Sequence, residues 1–230
     1  HSASAAALIG GGARPRPGEA SLAHGGVLFL DELPEFSRQA LEMLREPLEA
    51  GAVTLSRAAH KFTYPARFQL VGAMNPCPCG YYGDPEHSCR CTSEHIQRYR
   101  HRLSGPLLDR IDLHVSMHRL PARLLLETQS KGEASATVRE RVLAARQRQQ
   151  ARQGCTNAAL SAQALATQCV LRPEARRQLE QAADALQLSG RGLHRSLRVA
   201  QTLADMEGAD CIDLQHVTEA LAFRQATAPA

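Results

Sequence analysis

The sequence predicts an α/β fold in two parts, a parallel-sheet core over residues 1–118 and an all-helical domain over residues 119–230. Three observations carry that division. Gly25-Gly26-Val27-Leu28-Phe29-Leu30-Asp31-Glu32 sets an unbroken apolar run against two carboxylates. Such a run, without alternation, suits a strand covered on both faces, as in a parallel sheet. Phe68-Gln69-Leu70-Val71-Gly72-Ala73-Met74-Asn75 repeats the pattern and also ends on a polar residue. After Leu120-Pro121 the strand patterns stop, and apolar residues recur at helical spacing.

The composition bounds the answer. A chain of 230 residues with 43% hydrophobic and 22% charged residues is globular, and it is long enough for one sizeable domain or two small ones. Ala and Leu abound, which favours helices. No apolar run approaches the roughly 20 residues of a membrane span, and no secretory leader is legible, so the expected location is cytoplasmic, without a membrane partner. The net charge is +4. Lys occurs only as Lys61 and Lys131, so the basic charge is nearly all Arg, whose forked donors suit phosphate. Seven cysteines in a reducing compartment speak for metal rather than disulfides. The opening His1-Ser2-Ala3-Ser4 is what a fragment or processed chain would show.

The elements follow in order. Residues 5–8 are helix-prone. Gly10-Gly11-Gly12-Ala13-Arg14-Pro15-Arg16-Pro17-Gly18-Glu19 is a loop by its turn chemistry. It reads equally as an exposed linker or as a loop that touches nucleic acid. It is no phosphate loop, because neither Lys follows a Gly and the Gly-Lys-Ser/Thr ending is missing. Asp31 and Glu32 stand at a strand's carboxyl end, where open α/β sheets bind ligands. One can hold a hydrated Mg²⁺ beside a triphosphate, and the other can orient or deprotonate an attacking water, the Walker-B arrangement. The plainer alternative is a solvated turn at Leu33-Pro34.

Ser37 to Glu49 reads as a helix, with Ser37 as N-cap, Leu41, Leu44 and Leu48 as its apolar stripe and Gly51 as its stop. Val53 to Arg57 and Lys61 to Tyr64 alternate around Ala58-Ala59-His60 like the arms of a hairpin. Its tip carries Arg57, His60 and Lys61, either as charges that keep it soluble or as a basic finger for nucleic acid. Asn75-Pro76 closes the second buried strand. An amide there can position a water or touch a γ-phosphate, and Asn before Pro also starts turns.

Cys77 and Cys79, then Cys89 and Cys91, form two close pairs around a nine-residue loop. Four thiolates of this kind suit tetrahedral Zn²⁺, with His87 as a spare ligand. A redox pair or free thiols are the alternatives. Little in the loop would order it, so a metal would supply folding energy. Glu94 to Leu103 is a basic helix carrying Arg98, Arg100 and Arg102. Ser104 to Val115 reads as a short helix leading into a further strand. At that junction Arg110 either pairs with Asp109 or Asp112 or reaches a neighbouring subunit's phosphate as an arginine finger.

Helices then follow at about 135–152, 158–167, 174–186, 193–207 and 214–224, with Asp213 capping the last. The arginines of the first suit a solvated face. Arg191, Arg195 and Arg198 begin the fourth, where cations are disfavoured, and so suggest an anionic partner.

Longer stretches carry a resemblance. His1 to Ser4, Ala7 to Gly12, Pro17 to Phe36, Asn75 to Gly80, Arg98 to Asp112, Gly192 to Ala200 and Leu203 to Asp205 resemble the Mg-chelatase-like AAA+ ATPase family of the ComM competence type. The resemblance runs nearly end to end. It implies an incomplete P-loop-type core followed by an α-helical lid. It implies Asp31 as the Mg²⁺-associated carboxylate, Glu32 as the catalytic one, Asn75 as sensor 1 and Arg110 as the trans arginine finger. Arg195 resembles the sensor-2 arginine that touches nucleotide, with Arg198 as second choice. The Arg57–Lys61 hairpin would be a pore-facing insertion gripping nucleic acid, and Gly10 to Gly18 would belong to the helix-2 insertion.

Members are hexameric and use ATP and Mg²⁺ to drive DNA branch migration on branched or single-stranded DNA during natural transformation. Full-length members also carry a Lon-protease-like domain and a Walker A, which these residues lack. This stretch alone is therefore expected not to turn over ATP. Two other readings compete. One is a chelatase-type motor acting on a protein, and the other is a zinc-stabilised binding module that works without nucleotide.

Overall fold

A computed structural model describes residues 3–12, 15–57, 60–117, 120 and 132–225. The chain divides into two compact units, residues 1–111 and 112–230. The expected boundary at residues 118 and 119 lies outside the described residues.

The first unit starts with helix α1 (Ala5–Ile9), capped by Ser4, whose Oγ accepts the Ala7 N–H at 3.2 Å. The expected glycine loop then folds into a small antiparallel ribbon, β1 (Gly10–Gly11) with β2 (Arg16–Pro17), although its Ala13 and Arg14 lie outside the described residues. Gly18 makes this possible, because a Cβ there would sit 2.4 Å from the Gly10 nitrogen. Helix α2 (Glu19–Leu22) leads into strand β3 (Val27–Leu30). The helix expected from Ser37 forms in two pieces, α3 (Arg38–Met43) and α4 (Arg45–Ala50). The break has a local cause: Pro47 has no N–H to donate to the Met43 carbonyl, so the helix bends at Leu44. Gly51, at φ +67°, ends α4 in the left-handed conformation that glycine adopts freely.

Strands β4 (Ala52–Arg57) and β5 (His60–Pro65) form an antiparallel hairpin of six residue pairs, and β6 (Gln69–Gly72) returns to lie parallel beside β3. Helices α5 (Ser93–Arg100) and α6 (Gly105–Leu108) complete the unit, N-capped by Thr92 and Ser104. The core gathers Leu8, Leu28, Leu30, Leu41, Leu44, Val53 and Leu107.

Two expectations fail here. β3 is not covered on both faces: Leu28 and Leu30 are buried, but Val27 and Phe29 are 58% and 59% exposed. Among the described residues β3 pairs with β6 alone, and the first unit's core packs against one face of that pair. No strand forms at 111–115 either. The His114 N–H donates instead to the Phe223 carbonyl of a helix, and Leu113 and Val115 stay exposed.

The second unit is helical: α7 (Ser135–Gln153), α8 (Ala162–Gln168), α9 (Pro173–Ala185), α10 (Gly190–Glu207) and α11 (Leu214–Gln225). A short 3₁₀ turn at Asn157–Ala159 and a bridge between Leu171 and Ile212 are the only other regular features among its described residues. Its core includes Leu165, Leu179, Ala200, Ala204, Ile212, Val217 and Leu221. Beside it Asp205 is 1% exposed and fully engaged. Its carboxylate accepts from Arg152, from Asn157 Nδ2 at 2.8 Å and from Gln201 Nε2 at 3.3 Å. Asn157 in turn bonds Gln149, Gln153 and Thr202. The carboxylate holds the Arg152 guanidinium above its usual pKa. Among the described residues no helix is long and apolar enough to cross a membrane.

Candidate functional site

The parallel pairing of β3 with β6 runs from Val27 opposite Gln69 to Leu30 opposite Gly72. It continues past the strands, where the Ala73 N–H donates to the Leu30 carbonyl and the Leu33 N–H to the Ala73 carbonyl, both at 2.9 Å. Asp31-Glu32 and Met74-Asn75 therefore leave the sheet side by side at its carboxyl edge, and Asp31, Glu32 and Asn75 are all exposed there.

The turn at Glu32 is strained. Its φ of 51° and ψ of 47° are left-handed, which costs a non-glycine residue about 1–2 kcal/mol. Its surroundings hold it there. Asp31 Oδ1 accepts the Glu32 N–H at 2.9 Å, and Leu33 and Pro34 bury directly after it. Arg102 Nη1 adds bonds to the Pro34 carbonyl at 3.1 Å and to Glu35 Oε2 at 2.9 Å. Strain of this kind collects at functional sites. Two exposed carboxylates, one with its orientation fixed, offer the hard oxygen donors that Mg²⁺ prefers.

Burial pushes the Tyr99 phenol pKa up, and the neighbouring Asn75 backbone partly offsets the rise. Nothing local in the sequence announces Tyr99 as a neighbour of Asn75. Its place three residues after buried Ile96, on one helical face, was the available signal.

The arginines are held from a distance. Arg110 meets an acid from a distant helix. Nη2 meets Glu49 Oε2 at 2.5 Å and Nη1 donates to the Pro106 carbonyl at 2.7 Å, with the side chain 8% exposed. The reason is topological: α4 brings Glu49 to a residue 61 positions later, a proximity that charge pattern alone does not encode. In the second unit Arg195 Nη1 contacts Asp112 Oδ1 at 2.7 Å, an anion supplied by the chain itself. Arg198 Nη2 donates to the Leu160 carbonyl at 2.7 Å, and burial, then the neighbouring Arg195 charge, lower its pKa.

The hairpin forms as expected, with a correction at its tip. His60 belongs to β5, paired with Arg57, and does not join the loop. Ala58 and Ala59 lie outside the described residues. His60 and Lys61 are exposed, and the His60 and Phe62 rings lie 6.2 Å apart.

The four cysteines come together: Cys77, Cys79, Cys89 and Cys91 bring their sulfurs within 4.8 Å of one another, and Cys77 is buried. The Sγ separations are 3.4 Å for Cys77–Cys79, 3.7 Å for Cys77–Cys89 and 3.6 Å for Cys79–Cys89. The Tyr81 and Arg90 backbone amides pull the Cys79 thiol down to about 6. The Cys91 amide also lowers Cys89, but burial and the neighbouring thiols outweigh it and push Cys89 up to about 12. His87 is not part of the group. It stacks on Tyr81 with ring centroids 5.1 Å apart and approaches Asp84 at 3.4 Å.

Comparison with known proteins bears on both units. The family model described as magnesium chelatase, subunit ChlI, matches residues 1–125, and the ChlI C-terminal model matches residues 132–224. The protein YifB of Salmonella typhimurium is 53% identical over 224 residues, which is 97% of this chain and 44% of that protein. Competence protein ComM of Haemophilus influenzae is 49% identical over 224 residues, again 97% of this chain and 44% of its own length. The chain thus spans less than half of these relatives.

Proposed function

This chain belongs to the magnesium chelatase subunit ChlI family, and from that premise we propose that the full-length protein is a AAA+ ATPase that moves DNA. The reaction is ATP hydrolysis, and the work is branch migration of joined DNA, by a homo-hexamer, in competence and recombination. The observation that carries the proposal is the edge where β3 and β6 end together, with Asp31, Glu32 and Asn75 emerging side by side. A relative named for competence supports the choice of DNA as the partner.

Each residue takes one task. Asp31, oriented by the Glu32 N–H, would hold the Mg²⁺ of bound ATP. Glu32 would orient and deprotonate the attacking water, with Asn75 positioning the same water. Arg110, released from Glu49, would reach the nucleotide of the neighbouring subunit. Arg195, with Arg198 behind it, would meet phosphate in place of Asp112. Arg57, His60 and Lys61 would touch DNA. ATP with Mg²⁺ supplies the phosphoanhydride whose cleavage drives the work. The four cysteines form a separate thiolate site of the kind Zn²⁺ occupies.

The test is ATP turnover by the full-length protein with branched DNA, beside Glu32→Gln and Arg110→Ala. The expected result is DNA-stimulated turnover that each substitution lowers by about 10³-fold or more, the scale of an arginine finger. The family's chelatase name favours a second reading, a motor that remodels a protein. Turnover that ignores DNA and responds to a protein partner would move the assignment there.

A further inference from the structure

We propose that Cys77, Cys79, Cys89 and Cys91 bind one Zn²⁺ as a tetrathiolate centre, and that this centre clamps the turn carrying Asn75. The clamp rests on the reading of Asn75 as part of the motor site; the metal centre stands without it.

The geometry points to a metal. Four Zn–S bonds of about 2.3 Å in a tetrahedron place the sulfurs about 3.8 Å apart. The separations of 3.4–3.7 Å among Cys77, Cys79 and Cys89 lie close to that edge, and the Cys91 sulfur lies within 4.8 Å of all three. They are far beyond the roughly 2.05 Å of a disulfide. Four soft thiolates converging on one point select Zn²⁺ over the hard cations that carboxylates prefer.

The loop between the pairs is pre-shaped for this. Asp84 Oδ1 accepts the Glu86 and His87 N–H groups at 2.8 and 3.0 Å, closing a turn, and the Tyr81–His87 stack braces it. Tyr81 and Tyr82 remain 41% and 36% exposed, so the loop has little apolar burial to hold it. The metal supplies what packing does not.

The clamp follows from chain connectivity and two contacts. Cys77 lies two residues after Asn75, with only Pro76 between. Arg100 Nε donates to the Pro76 carbonyl at 3.3 Å, while its guanidinium carbon lies 5.0 Å from the centroid of the Tyr82 ring inside the cysteine loop. One side chain thus ties the loop to the Asn75 turn. Releasing the metal frees the loop and loosens Asn75 with it.

The test measures metal content and amide hydrogen exchange on the full-length protein, before and after stripping zinc with a thiol-reactive mercurial and reducing back to free thiols. The expected content is one zinc per chain, lost in Cys89→Ser/Cys91→Ser. Refilling the stripped wild type with Co²⁺ should give the absorption of tetrahedral cobalt thiolate, a readout that does not depend on the variant folding. Exchange at the Ala73, Gly80 and His87 amides, which donate to the Leu30 and Cys77 carbonyls and to Asp84, should quicken by about 10-fold or more on zinc loss. A protein purified without metal whose stripped form shows no thiolate–cobalt spectrum overturns the centre. Zinc present with exchange at those three amides unchanged on its loss overturns the clamp. ATP turnover is measured separately, so failure of the motor assignment leaves these outcomes readable.

Discussion

At Asp205 both carboxylate oxygens are answered from within the protein, by a guanidinium and two amides, and the group is sealed from water. At the cysteine group four sulfurs converge on one point in a loop that is largely exposed. Both clusters gather several polar or ligating groups at one point, and both would be costly to leave half-made. The difference is what completes them. The second unit's cluster is complete with its own side chains and acts as scaffold. The first unit's cluster has a geometry that an added cation would complete. Enclosure and internal satisfaction, rather than the density of polar residues, separate the framework of this molecule from its chemistry.

The cost of deleting a polar group follows how completely the protein encloses its partners. The largest effect belongs to Asp205→Ala, which strands Arg152 and Asn157. It should lower unfolding free energy by about 3–5 kcal/mol in urea titration, the scale of a broken buried ion pair. A loss below about 1 kcal/mol would break the comparison at its strongest point.

The middle case is Ser104. Its Oγ caps α6, accepting the Leu107 N–H at 3.3 Å, and its hydroxyl is the main influence holding the Glu42 carboxyl pKa low, with Arg45 next. Ser104→Ala should cost about 1 kcal/mol. It should also change the pH profile. A carboxyl with a folded pKa below its unfolded one stabilises the fold above the unfolded value, and this contribution is lost as pH falls through the folded value. The acid limb of stability should therefore flatten in Ser104→Ala and in Glu42→Gln alike. An unchanged acid limb would remove Glu42 from the account. The smallest case is Arg98→Ala, which deletes an exposed i,i+4 pair with Glu94 and should shift stability by no more than about 0.5 kcal/mol.

Much of this was legible in the sequence wherever the cause is local. Helix ends followed from caps such as Ser37 and Asp213, whose side chains do accept the expected amides. The hairpin followed from alternation, and the second unit's helices from spacing. What failed depends on partners that arrive from elsewhere in the chain. An apolar run at Val27 to Leu30 permits burial on two faces but cannot say how many neighbours come to cover it. Ile111 to Val115 looks like a strand until its amide is found on a helix end. Arg110 could be seen as an arginine needing an acid, yet local charge points only to Asp109 and Asp112, and Glu49, 61 positions away, is a partner it cannot reveal. The cysteine group was legible because spacing alone brings each pair together, and only the turn between the pairs had to close.

The hairpin carries a consequence of another kind. Its six pairs run without a bulge from Ala52 opposite Pro65 to Arg57 opposite His60. A ladder of this sort has a quantised length. One added pair advances the tip by about 3.4 Å and turns its side chains to the opposite face, whereas two added pairs advance it by about 6.8 Å and keep the face. The arms therefore work as a ruler with a fixed graduation. Adding or removing pairs two at a time would move Arg57, His60 and Lys61 along one axis in steps that keep their face, and the step at which an activity dies would report how far away its target lies.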